Sequence, residues 1–472
     1  MMHEPPLRDA ALQPAVDGTP WRQEARAMAA LAWPLSLTFF AETAIAAIDL
    51  AFIGRLGAES LAGASLGVTA HIVFYLLAVG IVVATAPLAA QAMGARQPRQ
   101  VRRVVRQGLW IAALLGVPSA FILMGTEPVL LALGQPTDAS RLAQDYLDFF
   151  GWTLPWGIGL VVLRNFAAVL GRPRLGLWIF AAGIPLNALL DYGLIFGRLG
   201  MPRLELAGAG LASVVAQAAM FAAMLAVVLT TKPLARYRIL GNFWRPDWVV
   251  FARIFRLGLP IAGIMAMEFG LIVVSQVMIG WIGSTSLAAH QIALTLASLT
   301  FKVPLGIAQA ATVRVGRAAG RRDADGVGRA GWTALAMGVA FMTLASLVMW
   351  TWPEAMAAVF LDLSLPGNDE VARLAALLVL VAAVFQVADG AQTIGAGVLR
   401  GLNDTAVPLV FGVVGYVAIG IPAAWLLGFP GGLGAVGVWM GMAIGLIAVA
   451  FCHVIRFAFL VRRRHLPRVM SA

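Results

Sequence analysis

Five carboxylates stand inside long apolar stretches of this chain: Glu42, Asp49, Asp191, Glu268 and Asp389. Each would cost about 2.5–3.5 kcal/mol near the centre of a membrane-crossing helix. Ionisable groups kept at that cost usually face a cavity and carry function. Glu42 and Asp49 are seven residues apart, so on a helix they share a face about 10 Å apart along the axis. Asn187 and Asp191, four apart, also share a face, and Pro185 before them frees a backbone carbonyl that can join a polar site. Further on, Glu268 lies eight residues after Pro260, and Gln386 precedes Asp389 by three, which predicts amide and carboxylate side by side.

The chemistry this suggests is exchange. Low-dielectric surroundings disfavour a charged carboxylate, so such a group can hold a proton and ionise when a cation pairs with it. A proton or Na⁺ and an organic cation then compete for one negative charge. Two oxygen-rich sets are candidates for Na⁺, namely Asp49 with Asn187 and Asp191, and Glu268 with Asp389. The bland alternative is that these acids pair with internal bases or cap helices; it weighs most for Asp191 and Glu42. Lys302, just before Pro304 in another apolar stretch, is expected to pair with Glu268 or Asp389, or else to snorkel outward. Arg164 reads as an interfacial anchor. His71 and His290 lack a second ligand at a metal spacing, so cavity lining is expected of them rather than metal binding. Phe40, Trp156, Met267, Trp281 and Phe385 are candidate lining residues of a greasy cavity, with packing the stronger expectation for each.

The elements that must position these groups follow from composition. Hydrophobic residues make up 60% of the 472 and charged residues only 12%, against about 25% charged in soluble domains; the mean hydropathy is +0.86. That excludes a soluble fold. A spanning helix needs about 20 apolar residues, which places spans near 28–53, 62–90, 105–125, 144–168, 175–196 and 207–231. A second set falls near 255–281, 287–312, 330–352, 374–397, 407–428 and 434–461. Continuous apolar runs, with no dyad alternation, exclude a β-barrel.

Of the 34 Lys and Arg residues, 27 fall on one side of this topology and about five, Arg55, Arg141, Arg198, Arg203 and Arg373, on the other. The Arg-rich side is expected to be cytoplasmic, with both termini there. The net charge of +11 is thereby explained by topology, without a nucleic-acid partner. Residues 1–25 lack the pattern of a cleaved signal peptide, so the first span is expected to stay as an anchor. Cys452 is the only cysteine, which excludes an intramolecular disulfide and leaves the thiol a packing role.

The two sets of spans are a repeat. A shift of 226 places Pro34 on Pro260, Glu42 on Glu268, Ile53-Gly54 on Ile279-Gly280, Gly57 on Gly283, and Ser60-Leu61-Ala62 on Ser286-Leu287-Ala288. Gly80 on Gly306 and Gly94 on Gly320 keep the register, and Leu206 to Gly210 falls on Leu433 to Gly437 at a shift of 227. Six spans per half give the halves one topology, related by an axis along the membrane normal with a cavity between them. The fold class is therefore an all-α polytopic membrane protein of twelve transmembrane helices in two six-helix bundles. Its expected divisions are a segment 1–25, an N-lobe 26–231, a linker 232–253, a C-lobe 254–461 and a basic tail 462–472. Rocking of such lobes exposes a midplane site to the two sides alternately.

Several stretches carry a family resemblance. They are Ala46-Ala47-Ile48-Asp49-Leu50-Ala51-Phe52-Ile53-Gly54, Pro87-Leu88-Ala89-Ala90-Gln91-Ala92-Met93-Gly94-Ala95, Pro185-Leu186-Asn187, Ala288-Ala289-His290-Gln291, Arg314-Val315-Gly316, and Gln386-Val387-Ala388-Asp389 with Leu399-Arg400-Gly401. Over residues 25 to 460 the chain resembles the multidrug and toxic compound extrusion family, near its NorM-like branch. The resemblance implies a cation-coupled antiporter, not an enzyme, and assigns coupling to Asp49, Glu268 and Asp389. Asp191 is similar to a fifth-span acid that pairs with the first-span acid in another branch, where NorM-like members more often have Asn. Lys302 replaces an apolar position of the family pattern.

With no nucleotide-binding motif, an ion gradient, H⁺ or Na⁺, must supply the energy. No cofactor is implied, and a monomer in the bacterial inner membrane acting on small organic cations and amphiphiles is expected. A flippase or exporter of a lipid-linked or other endogenous amphiphile is the competing reading; it favours an Arg-rich cavity, whereas the midplane charges here are mainly acidic. A membrane-embedded enzyme would need a nucleophile with its base, or a metal cluster, at the midplane; the sequence holds neither pattern.

Overall fold

The computed structural model describes residues 20–361 and 367–462, all of them in helices or short connections. Expectations for residues 1–19 and for the tail beyond Arg462 lie outside the described residues. Among the described residues eleven helices are long and apolar enough to cross a membrane, and a bent pair, taken as one span, makes a twelfth. In the first half the spans are Pro20–Gly54, Ala58–Gly94, Pro98–Leu123, Thr137–Phe150 with Thr153–Val169, Arg174–Phe196 and Glu205–Thr230. In the second they are Trp248–Ile282, Ser284–Gly320, Ala324–Thr351, Asn368–Gly401, Ala406–Gly428 and Gly434–Arg462. They are numbered first to twelfth below.

One span departs from its expected form. The fourth is not a straight helix over 144–168 but two pieces bent by 47° at Gly151-Trp152. Pro155, at the start of the second piece, has no N–H to continue the ladder, and His71 of the second span bonds Thr153 Oγ1 at 2.9 Å beside the break. The eleventh span also departs from a plain α-helix, with a π-helical stretch over Val413–Gly420. Small residues make room for its wider turn: Gly415 and Gly420 pack against Gly445 of the twelfth span.

The repeat is visible in the packing. Short helices Glu127–Ala132 and Pro353–Ala358, after the third and ninth spans, fall on one another at the same shift. Gly57 and Gly283 hold φ of 116° and 149° in the turns after the first and seventh spans, a region open to glycine and closed to most side chains. Where the lobes meet, a Cβ on Gly80 would press on Ala262 Cα, and one on Gly306 would lie 2.6 Å from the Ser36 backbone nitrogen. Ala262 is the repeat mate of Ser36. Likewise a Cβ on Gly94 would press on the Arg317 carbonyl and one on Gly320 on that of Gln91, again repeat mates. The glycines that keep register in the sequence are thus the crossing points of the second span on the seventh and eighth, and of the eighth on the first and second. Small residues let backbones approach there.

Polar bridges join the lobes beside these crossings. Arg314 of the eighth span forms a bidentate ion pair with Glu24 of the first, Nη2 to Oε2 at 2.6 Å. Arg317 donates to the Val169 carbonyl. Gln91 donates to the Gly401 carbonyl at 2.9 Å and accepts from Asn403 at 2.7 Å. Gln309 donates to Asn165 Oδ1 at 2.6 Å, and Ser36 donates to the Val303 carbonyl at 3.2 Å. All lie on the half of the molecule that carries the Arg-rich loops. Toward the other side Ser65 and Thr69 of the second span and their mates Gln291 and Thr295 of the eighth are open to solvent or partly so, as is Ser298. The hydroxyls of Ser65, Thr69, Thr295 and Ser298 each bond a carbonyl of their own helix. The cross-lobe polar bridges and glycine crossings described here thus gather on the basic side.

Candidate functional site

The N-lobe site is built by three helices. Asn187, on the fifth span, is fully buried and donates from Nδ2 both to Asp49 Oδ1 on the first span and to Asp191 Oδ2, the latter at 2.9 Å. Ser213 of the sixth span donates to the other Asp49 oxygen at 3.2 Å. Asp49 itself is half-buried and Asp191 wholly buried. Residues 187 and 191 reach the same acid because they are one helical turn apart. Asn187 Oδ1 and Asp191 Oδ1 are buried without a hydrogen-bond partner. Like charges packed together this closely need a proton or a cation between them. Asp49, Asn187 and Asp191 therefore form one oxygen-rich cluster, and Ser213 adds a hydroxyl that sequence reasoning missed.

In the C-lobe the organising residue is Gln392, also missed. Its Nε2 donates to Glu268 Oε1 at 3.1 Å, and its side chain is within hydrogen-bonding reach of Asp389. The Tyr416 hydroxyl, presented from the π-helical stretch, donates to Gln392 Oε1 at 3.0 Å. The His453 ring Nδ1 donates to the Gln392 backbone carbonyl at 3.0 Å. Glu268 of the seventh span is thus bonded to an amide of the tenth, three residues after Asp389, and Gln392 is held in turn from the eleventh and twelfth spans. π-Helical turns recur at functional sites because they re-aim a side chain, and Tyr416 is the side chain re-aimed here.

Other residues are placed differently from the expectations. Gln386 does not stand beside Asp389's carboxylate; it is buried, donating to Thr300 Oγ1 and approaching Met349 Sδ. Residues three apart can share a helix face, but the Gln386 amide turns to the eighth span, where Thr300 Oγ1 accepts from it. Glu42 forms an ion pair with Arg164 of the fourth span, whose guanidinium also lies 4.9 Å from the Phe39 ring and 5.8 Å from that of Phe180. Arg164 is consequently an internal base and not an interfacial anchor. Lys302 pairs with neither Glu268 nor Asp389; the acid bearing on it is Glu42, across the lobe boundary. His290 is buried, accepting at Nδ1 from Trp439 at 3.0 Å, and His71 is buried at the bend of the fourth span, so both are packed inside their lobes and not exposed as cavity lining.

Among the described residues Asp49, Asp191, Glu268 and Asp389 make no ion pair, so Glu42 alone of the five takes the structural role. No three His, Cys, Asp or Glu side chains converge among the described residues. A pocket on the basic side, lined by Gln91, Gln97, Gln100, Arg253 and Arg322 among others, contains none of the acids.

Comparison with known proteins matches this arrangement. Residues 34–193 and 260–426 each match the MatE family, and the two matches start at Pro34 and Pro260, the paired prolines of the repeat. The chain is 45% identical over 432 residues to the "Probable multidrug resistance protein NorM" of Mesorhizobium japonicum, covering 91% of this chain and 92% of that one. It is 44% identical over 455 residues to the protein of the same name from Rhodopseudomonas palustris, covering 96% and 95%. Its fold superposes with a TM-score of 0.84 on a multidrug resistance MATE family transporter solved in an outward-facing conformation, at 20% identity and covering 95% of this chain and 99% of that one. A MATE protein solved in a bent conformation gives 0.83 at 20% identity, covering 97% and 100%. With both halves matched and close relatives spanning nearly its whole length, this chain belongs to the MatE family of multi-pass membrane transporters.

Proposed function

We propose that the protein is a secondary active multidrug efflux transporter, exchanging inward-moving H⁺ or Na⁺ for cationic or amphiphilic organic compounds by alternating access. The observation that carries this reading is a pair of acid clusters within the spans, one per lobe, each organised by an amide, Asn187 or Gln392, and free of ion pairs among the described residues. The names of its close relatives point the same way. Positive loops favour the cytoplasm, so we place the basic side and both termini in the cytoplasm of a bacterial cell and read the conformation as outward-open, with a cleft between the lobes on the side away from the joined seam. In this orientation Asp49 with Asn187, Asp191 and Ser213, and Glu268 with Asp389 and Gln392, meet the coupling ion arriving from outside. Neutralising a cluster removes the charge that holds a cationic compound, so ion entry drives release. We place the lobe boundary at residues 232–253, with the N-lobe and C-lobe rocking about the seam.

The test is ethidium efflux from proteoliposomes under separately imposed pH and Na⁺ gradients. At least two of Asp49→Asn, Glu268→Gln and Asp389→Asn are expected to abolish gradient-driven efflux while leaving membrane insertion intact. Wild-type rates in all three would eliminate these coupling roles.

A further inference from the structure

The floor of the cleft carries charge that neither acid cluster uses. The eighth span turns Gln291, Thr295, Ser298 and Lys302 to one face, at steps of four, three and four residues. The first three line the open side, and the stripe ends at half-buried Lys302, immediately before Val303 and Gly306 meet Ser36 of the other lobe. Lys302 is therefore the last side chain of this face before the lobes close. Opposite it is Glu42, 30% exposed in its side chain and already bonded to Arg164, which is 8% exposed. No carboxylate among the described residues forms an ion pair with Lys302.

The floor thus holds two cations and one anion. An ammonium without its own counter-charge is costly at this depth, and the solvent-facing stripe above it is the direction from which a counter-charge can come. The repeat sharpens the point. Ser65 and Thr69 of the second span are the mates of Gln291 and Thr295, but the mate of Lys302 is Leu76. The same stripe exists in both lobes, and the cation was added to one of them only. Glu42, held by Arg164, fixes the far wall.

The geometry points to Lys302 as an anion-accepting subsite at the floor of the cleft, taking the carboxylate, sulfonate or phosphate group of an amphiphilic compound. Asp49 lies two helical turns beyond Glu42 on the first span. A compound bearing a basic and an acidic group on the order of 10 Å apart fits this polarity, with its cation toward the acid clusters and its anion on Lys302. This specificity rests on the export reading above and assigns its substrates a second charge.

The test uses rhodamine B, which keeps a free carboxylate, and its methyl ester, which differs only in losing that charge. Fluorescence-polarisation titrations of the purified full chain in detergent compare wild type with Lys302→Leu, the residue of the mate position, and with Lys302→Arg. Lys302→Leu is expected to weaken rhodamine B binding by roughly tenfold or more and ester binding by about twofold or less, while Lys302→Arg retains both. Equal weakening for the two dyes, no change for either, or a wild type that binds only the ester would overturn the subsite. Lys302→Gln, closer in length and polarity, repeats the comparison if the leucine variant fails to fold. Binding in detergent needs no gradient. A wild type that binds rhodamine B through Lys302 yet shows no gradient-driven ethidium efflux would refute antiport and leave the subsite standing.

Discussion

The bidentate pair between Glu24 and Arg314 should set how often the lobes part on the basic side. Both side chains are mostly covered, with 12% and 19% exposure, and both bonds are charge-assisted. A hydrogen bond to a charged group contributes about 1.5–3 kcal/mol. Glu24→Gln keeps one acceptor and removes the charge, so a loss of about 1.5 kcal/mol is expected, close to a tenfold change in the ratio of the two conformations. A 99:1 population would become roughly 91:9. Spin labels on Ser65→Cys and Gln291→Cys, repeat mates on the open side of the two lobes, report this, with Cys452→Ser removing the single native thiol. Electron–electron distance distributions should gain a short component in Glu24→Gln, and the charge swap Glu24→Arg with Arg314→Glu should shrink it again. An unchanged distribution in Glu24→Gln, with the labelled parent still responsive to substrate, would refute the lock.

Two further expectations concern the amide and the glycines. Gln392→Leu strips Glu268 of its donor and leaves the Tyr416 hydroxyl unpaired, so gradient-driven ethidium efflux should fall about tenfold or more, whereas Tyr416→Phe, which removes only the outer bond, should cost a few-fold; equal losses would show that Tyr416 acts on more than Gln392. Gly80→Ala and Gly306→Ala each force a Cβ into backbone atoms of the facing lobe, and each should destabilise by about 1–3 kcal/mol, read as a lowered melting temperature; a neutral result at either would mean that the seam yields there.

Much of the fold was legible because membrane solvation imposes a coarse rule. Apolar runs of about twenty residues must be spans, and the repeat register of 226 to 227 residues pairs those of the two halves. The N-lobe cluster was legible too, since Asn187 and Asp191 sit one turn apart and both face Asp49. The C-lobe was harder. Asp389 has glutamines three residues before and three after it, and helical spacing alone treats Gln386 and Gln392 alike. What selects Gln392 is Tyr416, presented by a π-helical stretch with no hydropathy signature. The ion pair of Glu42 escaped for a related reason: Arg164 is 122 residues away, and only the packing of the fourth span on the first brings them together. The bend at Gly151-Trp152 lies in an apolar stretch whose hydropathy does not record direction.

The bare glycine crossings between the lobes bear on speed. Side chains that interdigitate must leave their rotamers before two surfaces can slide, whereas backbone resting on backbone has no teeth to disengage. At these crossings the seam works like a smooth bearing fastened by polar crossbars. Turnover in such a machine is governed by how quickly those few crossbars release, and single substitutions among them can make it faster as readily as slower.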